Sequence, residues 1–200
     1  MPEPIDFYFD FSSPYGYLAS AKIDALAARH GRQVRWKPFL LGVVMKTTGG
    51  LPLAAMPLKG DYLVRDIVRS ARLLEVEYRH PGIFPVASVA PARAFYWADA
   101  QDAERARNLA AALYRAYFVQ DTDISQGENT LTICEACGFE REAAGAGVGS
   151  QEVKDRLRAE TQVAIDKGVF GSPYIIVDRE PFWGSDRLDQ VERWLATGGW

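Results

Sequence analysis

Cysteine is scarce in this chain. Cys134 and Cys137 are the only two among 200 residues, which excludes a disulfide framework and fits a reducing compartment. No run of about five basic residues occurs, and the formal net charge is −3. The sequence therefore offers a phosphate backbone no electrostatic footprint, and no nucleic-acid partner is expected. No apolar stretch approaches the ~18 residues of a membrane span, so no membrane partner is expected either. The opening MPEPIDFYFD lacks the basic-then-apolar order of a signal peptide. Together these absences predict a cytoplasmic protein, in a bacterial-type cytosol, or one of an organelle matrix. Histidine is equally sparse: His30 and His80 belong to no motif and read as surface residues. The two cysteines have no second pair and no His-x-x-x-His near them, so no metal is expected.

What the chain does have is ordered apolar patterning. With 48% hydrophobic and 24% charged residues it can fill one core, as a single domain or a domain with a large insertion. Ile5, Phe7 and Phe9 alternate with Asp6, Tyr8 and Asp10 in an almost wholly apolar strand of the buried kind. Pro14 is disfavoured inside a helix but favoured at its first position, which puts Ser13 at the N-cap. Tyr15, Ala19, Ile23 and Leu26 then share a helical face, and Gly31 is the stop. Val34 and Trp36 alternate in a second strand, so the opening reads as a parallel βαβ unit. LGVVMKTTGGLPLAAMPLKG reads as a long Gly- and Pro-rich loop. Helical periodicity follows for about a hundred residues, with Leu63, Ile67 and Leu74 in one helix and Leu109, Leu113 and Tyr117 in another. Ala143 to Ser150 reads as a loop between helices. Strands return at PYIIVD and EPFWG, and a last helix is expected from Asp186 to Ala196. The expected fold is α/β: a thioredoxin-like domain (βαβ…ββα), residues 1–42 and 168–200, interrupted by an inserted all-helical domain, residues 43–167.

Three short stretches carry the functional reading. The first is FDFSSPYGYL, where a strand turns into a helix. A helix N-terminus carries roughly half a positive charge and several unpaired N–H groups, so it can hold an anion, particularly a thiolate. Taken alone, Ser13 is simply a cap. Oxidoreductases of the DsbA type place Cys-Pro-x-Cys directly after their first strand. This chain has Ser13-Pro14-Tyr15-Gly16 there, so its hydroxyl can only hydrogen-bond to a sulfur brought by another molecule. The second stretch is GVFGSPYIIVD, where Pro173 precedes a strand. It is either an ordinary turn or the cis proline of thioredoxin-like folds, which would present the Ser172 N–H and C=O to an extended peptide. The third is FWGSDRLDQVERWL, in which Ser185 or Asp186 starts a helix and again reads, by itself, as a cap.

In this order the three stretches resemble the 2-hydroxychromene-2-carboxylate isomerases, which share their fold with the kappa-class glutathione transferases. The resemblance runs over essentially the whole chain, helical insertion included. It implies glutathione as cofactor, with Ser13, beside Pro14 and Tyr15, at the sulfur. Ser172 and Pro173 would hold its cysteine backbone. Ser185, Asp186 and Arg187 would hold its γ-glutamyl end, Asp186 at the ammonium and Arg187 at the carboxylate. Pro57 matches a position of backbone contact. Two positions depart from the pattern. Gly50, in MKTTGG, stands where kappa-class chains carry an Asn that reaches glutathione. Met45 stands where isomerases of naphthalene breakdown carry a Lys, and no Asn-Arg pair follows. Lys46, Lys59 and Arg69 are the basic candidates for a substrate carboxylate.

The activity implied is cis-trans isomerisation of 2-hydroxychromene-2-carboxylate-type aromatic acids to trans-o-hydroxybenzylidenepyruvate, in aromatic hydrocarbon breakdown, by a homodimer. The glutathione sulfur adds, a bond rotates, and the sulfur is expelled. A kappa-class-like glutathione transferase is the second reading. A disulfide oxidoreductase or a thioredoxin-like binding module is the third. Cys134 and Cys137 form a Cys-x-x-Cys on a predicted helix, away from the strand-to-helix corner, and read as small packing residues.

Overall fold

The computed structural model describes residues 3–200. Met1 and Pro2, which open the stretch read above against a signal peptide, lie outside the described residues. A four-stranded sheet in the order β2-β1-β3-β4 organises the chain. β1 (Ile5–Phe9) pairs in parallel with β2 (Val34–Pro38) across helix α1 (Pro14–Arg29), with Phe7 opposite Trp36. β3 (Tyr174–Val177) runs antiparallel to β1, and β4 (Glu180–Trp183) antiparallel to β3. Between β2 and β3 come α2 (Leu41–Thr48), α3 (Lys59–Leu73), α4 (Val89–Asp99), α5 (Ala103–Phe118), α6 (Gly127–Ala136), α7 (Arg141–Gly149) and α8 (Gln151–Asp166). After β4 comes α9 (Leu188–Thr197). The chain is an α/β thioredoxin-like sheet interrupted by a helical insertion, as its patterning predicts. Among the described residues no helix is long and apolar enough to cross a membrane.

All five residues of β1 are buried, because the sheet is covered on both faces. Phe7 and Phe9 meet Trp36 edge-on with ring centres 5.2 and 5.4 Å apart. Phe9 also meets Phe95 of α4 and Tyr114 of α5, so the insertion packs directly on the sheet. Each buried phenylalanine contributes roughly 1.5–3 kcal/mol of transfer free energy. On the opposite face Tyr8 clusters with Phe39, Ala164 and Val169. Helix α1 buries Ala19, Ile23 and Leu26, and Gly31 follows it at φ +64°. The α5 stripe of Leu109, Leu113 and Tyr117 is interior.

Three segments differ from expectation. The Gly- and Pro-rich stretch after β2 is helical over Leu41–Thr48 and has a 3-10 turn at Leu53–Ala55. Its first N–H, Leu41, donates to Asp10 Oδ2 at 2.8 Å, and the helix ends at Gly49 in the left-handed conformation. Ala143 to Gly149, also read as loop, is part of α7. Glu140 accepts from the Glu142 and Ala143 N–H groups at its start, Ala144 is buried, and Gly147 leaves the space that the Trp97 indole fills. Glycine there serves close packing, not a turn. The last helix starts at Leu188, after a 3-10 turn at Ser185–Arg187.

Candidate active site

β1 delivers the chain to the mouth of α1, and its pairing with β3 brings the loop before β3 alongside. The Ser13 hydroxyl accepts from the Gly16 N–H at 3.0 Å, capping α1, and donates to the Ser172 carbonyl at 2.7 Å. The Ser172–Pro173 bond is cis, and the Ser172 hydroxyl accepts from the Asp10 N–H at 2.9 Å. Ser13, Pro14, Ser172 and Pro173 are buried. A Cβ at Gly16 would stand 2.8 Å from both Ser172 Oγ and Tyr114 Oη. Glycine is what lets the helix start approach the proline loop this closely, a role the sequence reading gave it no credit for.

Around this contact lie the other residues singled out above. The Tyr15 hydroxyl donates to Asp66 Oδ2 at 2.6 Å. Burial, and then that carboxylate, push its phenol well above the usual range. Burial alone would raise Asp66, but the Tyr15 phenol and Arg69 outweigh it and hold the carboxyl below its ordinary value. Arg69 is thus bonded to Asp66 and, at 3.1 Å, to Tyr62 Oη. The turn Ser185–Arg187 packs on α1. Ser185 is buried, Asp186 and Arg187 are exposed with their charged ends 3.6 Å apart, and the Asp186 charge reaches Tyr15. Gly184 holds φ +111° and leaves its Cβ position to the Asp186 carboxylate. Ser13, Pro14, Tyr15, Ser172, Pro173, Ser185, Asp186 and Arg187 therefore surround one end of α1. Pro57 lines a groove of about 790 Å³ with Leu58, Val64, His80 and Phe84. Lys46, on α2, and Lys59, in the first turn of α3, are exposed, as is Gly50 beyond α2.

Asp10 is the residue that sequence reasoning passed over. Its buried carboxylate accepts from Ser12 N–H at 2.8 Å, Ser12 Oγ at 2.7 Å, Leu41 N–H at 2.8 Å and Ser88 Oγ at 3.0 Å. Its carbonyl accepts from Ser13 N–H at 2.9 Å and Tyr114 Oη at 3.0 Å. Burial pushes this carboxyl up, and the donors work against the shift. The alternation of β1 gives it no signal beyond that of any polar strand residue.

Cys134 is buried and Cys137 partly so, at the end of α6. Burial pushes the Cys134 thiol up to about 12 and raises Cys137 as well, so neither supplies a thiolate near neutral pH. His80 is exposed, its Nδ1 3.0 Å from Tyr78 Oη. Partly buried His30 lies 3.7 Å from Glu192. Among the described residues no group of three or more His, Cys, Asp or Glu is arranged to hold a metal.

The sheet order, the helical insertion and the serine-capped mouth define a DsbA-like thioredoxin domain, and the model of that family matches residues 4–196. A 2-hydroxychromene-2-carboxylate isomerase of Sphingobium xenophagum is 31% identical over 98% of this chain and 99% of its own. Glutathione S-transferase kappa 1 of Rattus norvegicus is 25% identical over 98% of this chain and 94% of its own. A solved 2-hydroxychromene-2-carboxylate isomerase superposes with a TM-score of 0.86 at 28% identity, over 97% of this chain and 95% of that one. Within the DsbA-like domains the chain belongs to the 2-hydroxychromene-2-carboxylate isomerase family, and it is an enzyme.

Proposed function

We propose that the chain is a glutathione-dependent cis-trans isomerase of 2-hydroxychromene-2-carboxylate-type aromatic acids, working in the cytoplasm as a homodimer. Relatives named for that isomerase span nearly all of the chain. The observation that carries the glutathione part is the 2.7 Å hydrogen bond from Ser13 to Ser172. It joins a helix mouth that has no cysteine to a cis-proline loop whose backbone can pair with a peptide. A thiol-bearing tripeptide fits that combination.

In this reading residues 1–42 and 168–200 hold glutathione, and 43–167 hold the acceptor. Ser172 and Pro173 position the cysteine backbone, Ser185, Asp186 and Arg187 receive the γ-glutamyl end, and Pro57 adds a backbone contact. Glutathione held in this way would supply a thiolate nucleophile for reversible addition to the unsaturated side chain. The chain's part is electrostatic. Ser13 Oγ carries one proton, given to the Ser172 carbonyl; it can swing to a sulfur anion, a stronger acceptor. The N–H groups of α1 add their partial charge. Lys46, Lys59 and Arg69 are the cations for the substrate carboxylate, Arg69 already sharing its charge with Asp66.

The kappa-class relatives favour a second reading, a transferase that leaves the sulfur on its product. Following substrate and free thiol together tests both. Many turnovers per glutathione with the thiol undiminished are expected. One glutathione consumed per product favours the transferase, and turnover independent of glutathione overturns the cofactor.

A further inference from the structure

Three helix N-termini converge on Asp10. Leu41, whose N–H meets Asp10 Oδ2, is the first residue of α2, and that helix has no side-chain cap. Ser88, whose hydroxyl meets the same oxygen, is the N-cap residue of α4 and caps it with no side-chain bond. The third helix is α1, whose cap residue Ser13 gives its N–H to the Asp10 carbonyl. Ser12 closes on Oδ1 with both N–H and hydroxyl, folding the turn between β1 and α1. One carboxylate thus caps the first N–H of α2 and ties down the hydroxyl at the start of α4, and its four donors favour the charged form against the burial that opposes it. The titratable group facing it is the Tyr114 phenol of α5, bonded to the Asp10 carbonyl. From α2, α4 and the proline loop it meets neutral groups: the Leu41 N–H and the Ser88 and Ser172 hydroxyls.

We propose that Asp10 is a positioning residue: its carboxylate ties α2 and α4 to the turn that places Ser13, and the negative charge that its four donors hold beside the mouth of α1 limits how much thiolate the site holds. The inference rests on the glutathione reading above. A like charge disfavours a thiolate, which has a use here. A sulfur that must both attack and leave is best kept near ambient pH in its titration, since nucleophilicity falls as the thiol becomes more acidic.

The test is the thiolate ultraviolet absorbance of bound glutathione against pH in wild type, Asp10→Asn and Ser88→Ala. Asp10→Asn should lower the midpoint by about one pH unit, a tenfold rise in the thiolate-to-thiol ratio. Ser88→Ala, which strips one of the donors that hold the charge on this carboxylate, should lower it as well, by less. Mere loosening of the turn would raise both. A midpoint raised or unmoved in Asp10→Asn overturns the inference while leaving glutathione as cofactor. If that variant does not fold, an unmoved or raised midpoint in Ser88→Ala does the same. Wild type that binds no glutathione overturns the cofactor reading and this inference together.

Discussion

Ser13→Ala removes two hydrogen bonds within the chain and, in the proposed mechanism, a third to the bound sulfur. The cap on Gly16 N–H is worth about 1 kcal/mol, and leaving the buried Ser172 carbonyl without its donor costs about another. Their sum lowers the melting temperature by about 4–8 °C in a chain of this size. The functional effect is separate. A hydrogen bond to a charged acceptor is worth about 1.5–3 kcal/mol, so its loss raises the bound thiol's pKa by about one to two units. The sign follows directly: the thiolate exists above that pKa, so the acid limb of the pH–rate profile moves up by the same amount. At a fixed pH below the wild-type midpoint, kcat falls about 10- to 100-fold. The affinity for glutathione changes little well below the wild-type midpoint, where the thiol is bound neutral, and falls by the same factor where it is bound as thiolate. The assay is a pH titration of thiolate absorbance beside the kinetics. Lost stability alone would leave the thiol midpoint of the folded protein in place. Equal midpoints in wild type and Ser13→Ala would refute the role of the hydroxyl, whatever happened to the melting temperature.

Gly16→Ala forces a methyl group against Ser172 Oγ and Tyr114 Oη. It should cost about 1–3 kcal/mol in a denaturant titration, and weaken glutathione by pushing the proline loop away. Asp186→Ala should weaken glutathione about tenfold by calorimetry, the ~1.4 kcal/mol of one charge-assisted hydrogen bond. Its thiol midpoint should not move, and glutathione lacking the α-amino group should bind variant and wild type alike. Replacing Cys134 and Cys137 together with Ala should leave turnover unchanged. A thiol reagent at neutral pH should label Cys134 slowly in the folded chain, since burial holds its pKa at about 12. Loss of activity in that double variant would revive a disulfide chemistry.

How much of this was legible in the sequence depends on how local the cause is. β1, α1 and β2 could be read because period-two alternation, a proline at the first helical position and a glycine stop act within a few residues. α2 and α7 could not. Their glycines and threonines argue against helix, and what decides is distant: the Asp10 carboxylate receiving the first N–H of α2, the Trp97 indole seated against Gly147. The corner divides the same way. Ser13 and Ser172 announce themselves through the prolines beside them, yet the bond between them spans 159 residues and follows only from the antiparallel register of β1 and β3. Asp10 has the least signal and the most partners, from Leu41, 31 residues on, and Ser88, 78 residues on. Each donor is an unremarkable residue where it stands. The carboxylate can be buried because four donors meet it, two of them from the starts of α2 and α4, and α4 is held there by its packing on Phe9. The inserted helices therefore bear on the serine corner from beneath, through Asp10. A substitution that shifts the start of α4, such as Ser88→Ala, should reach the sulfur without touching it.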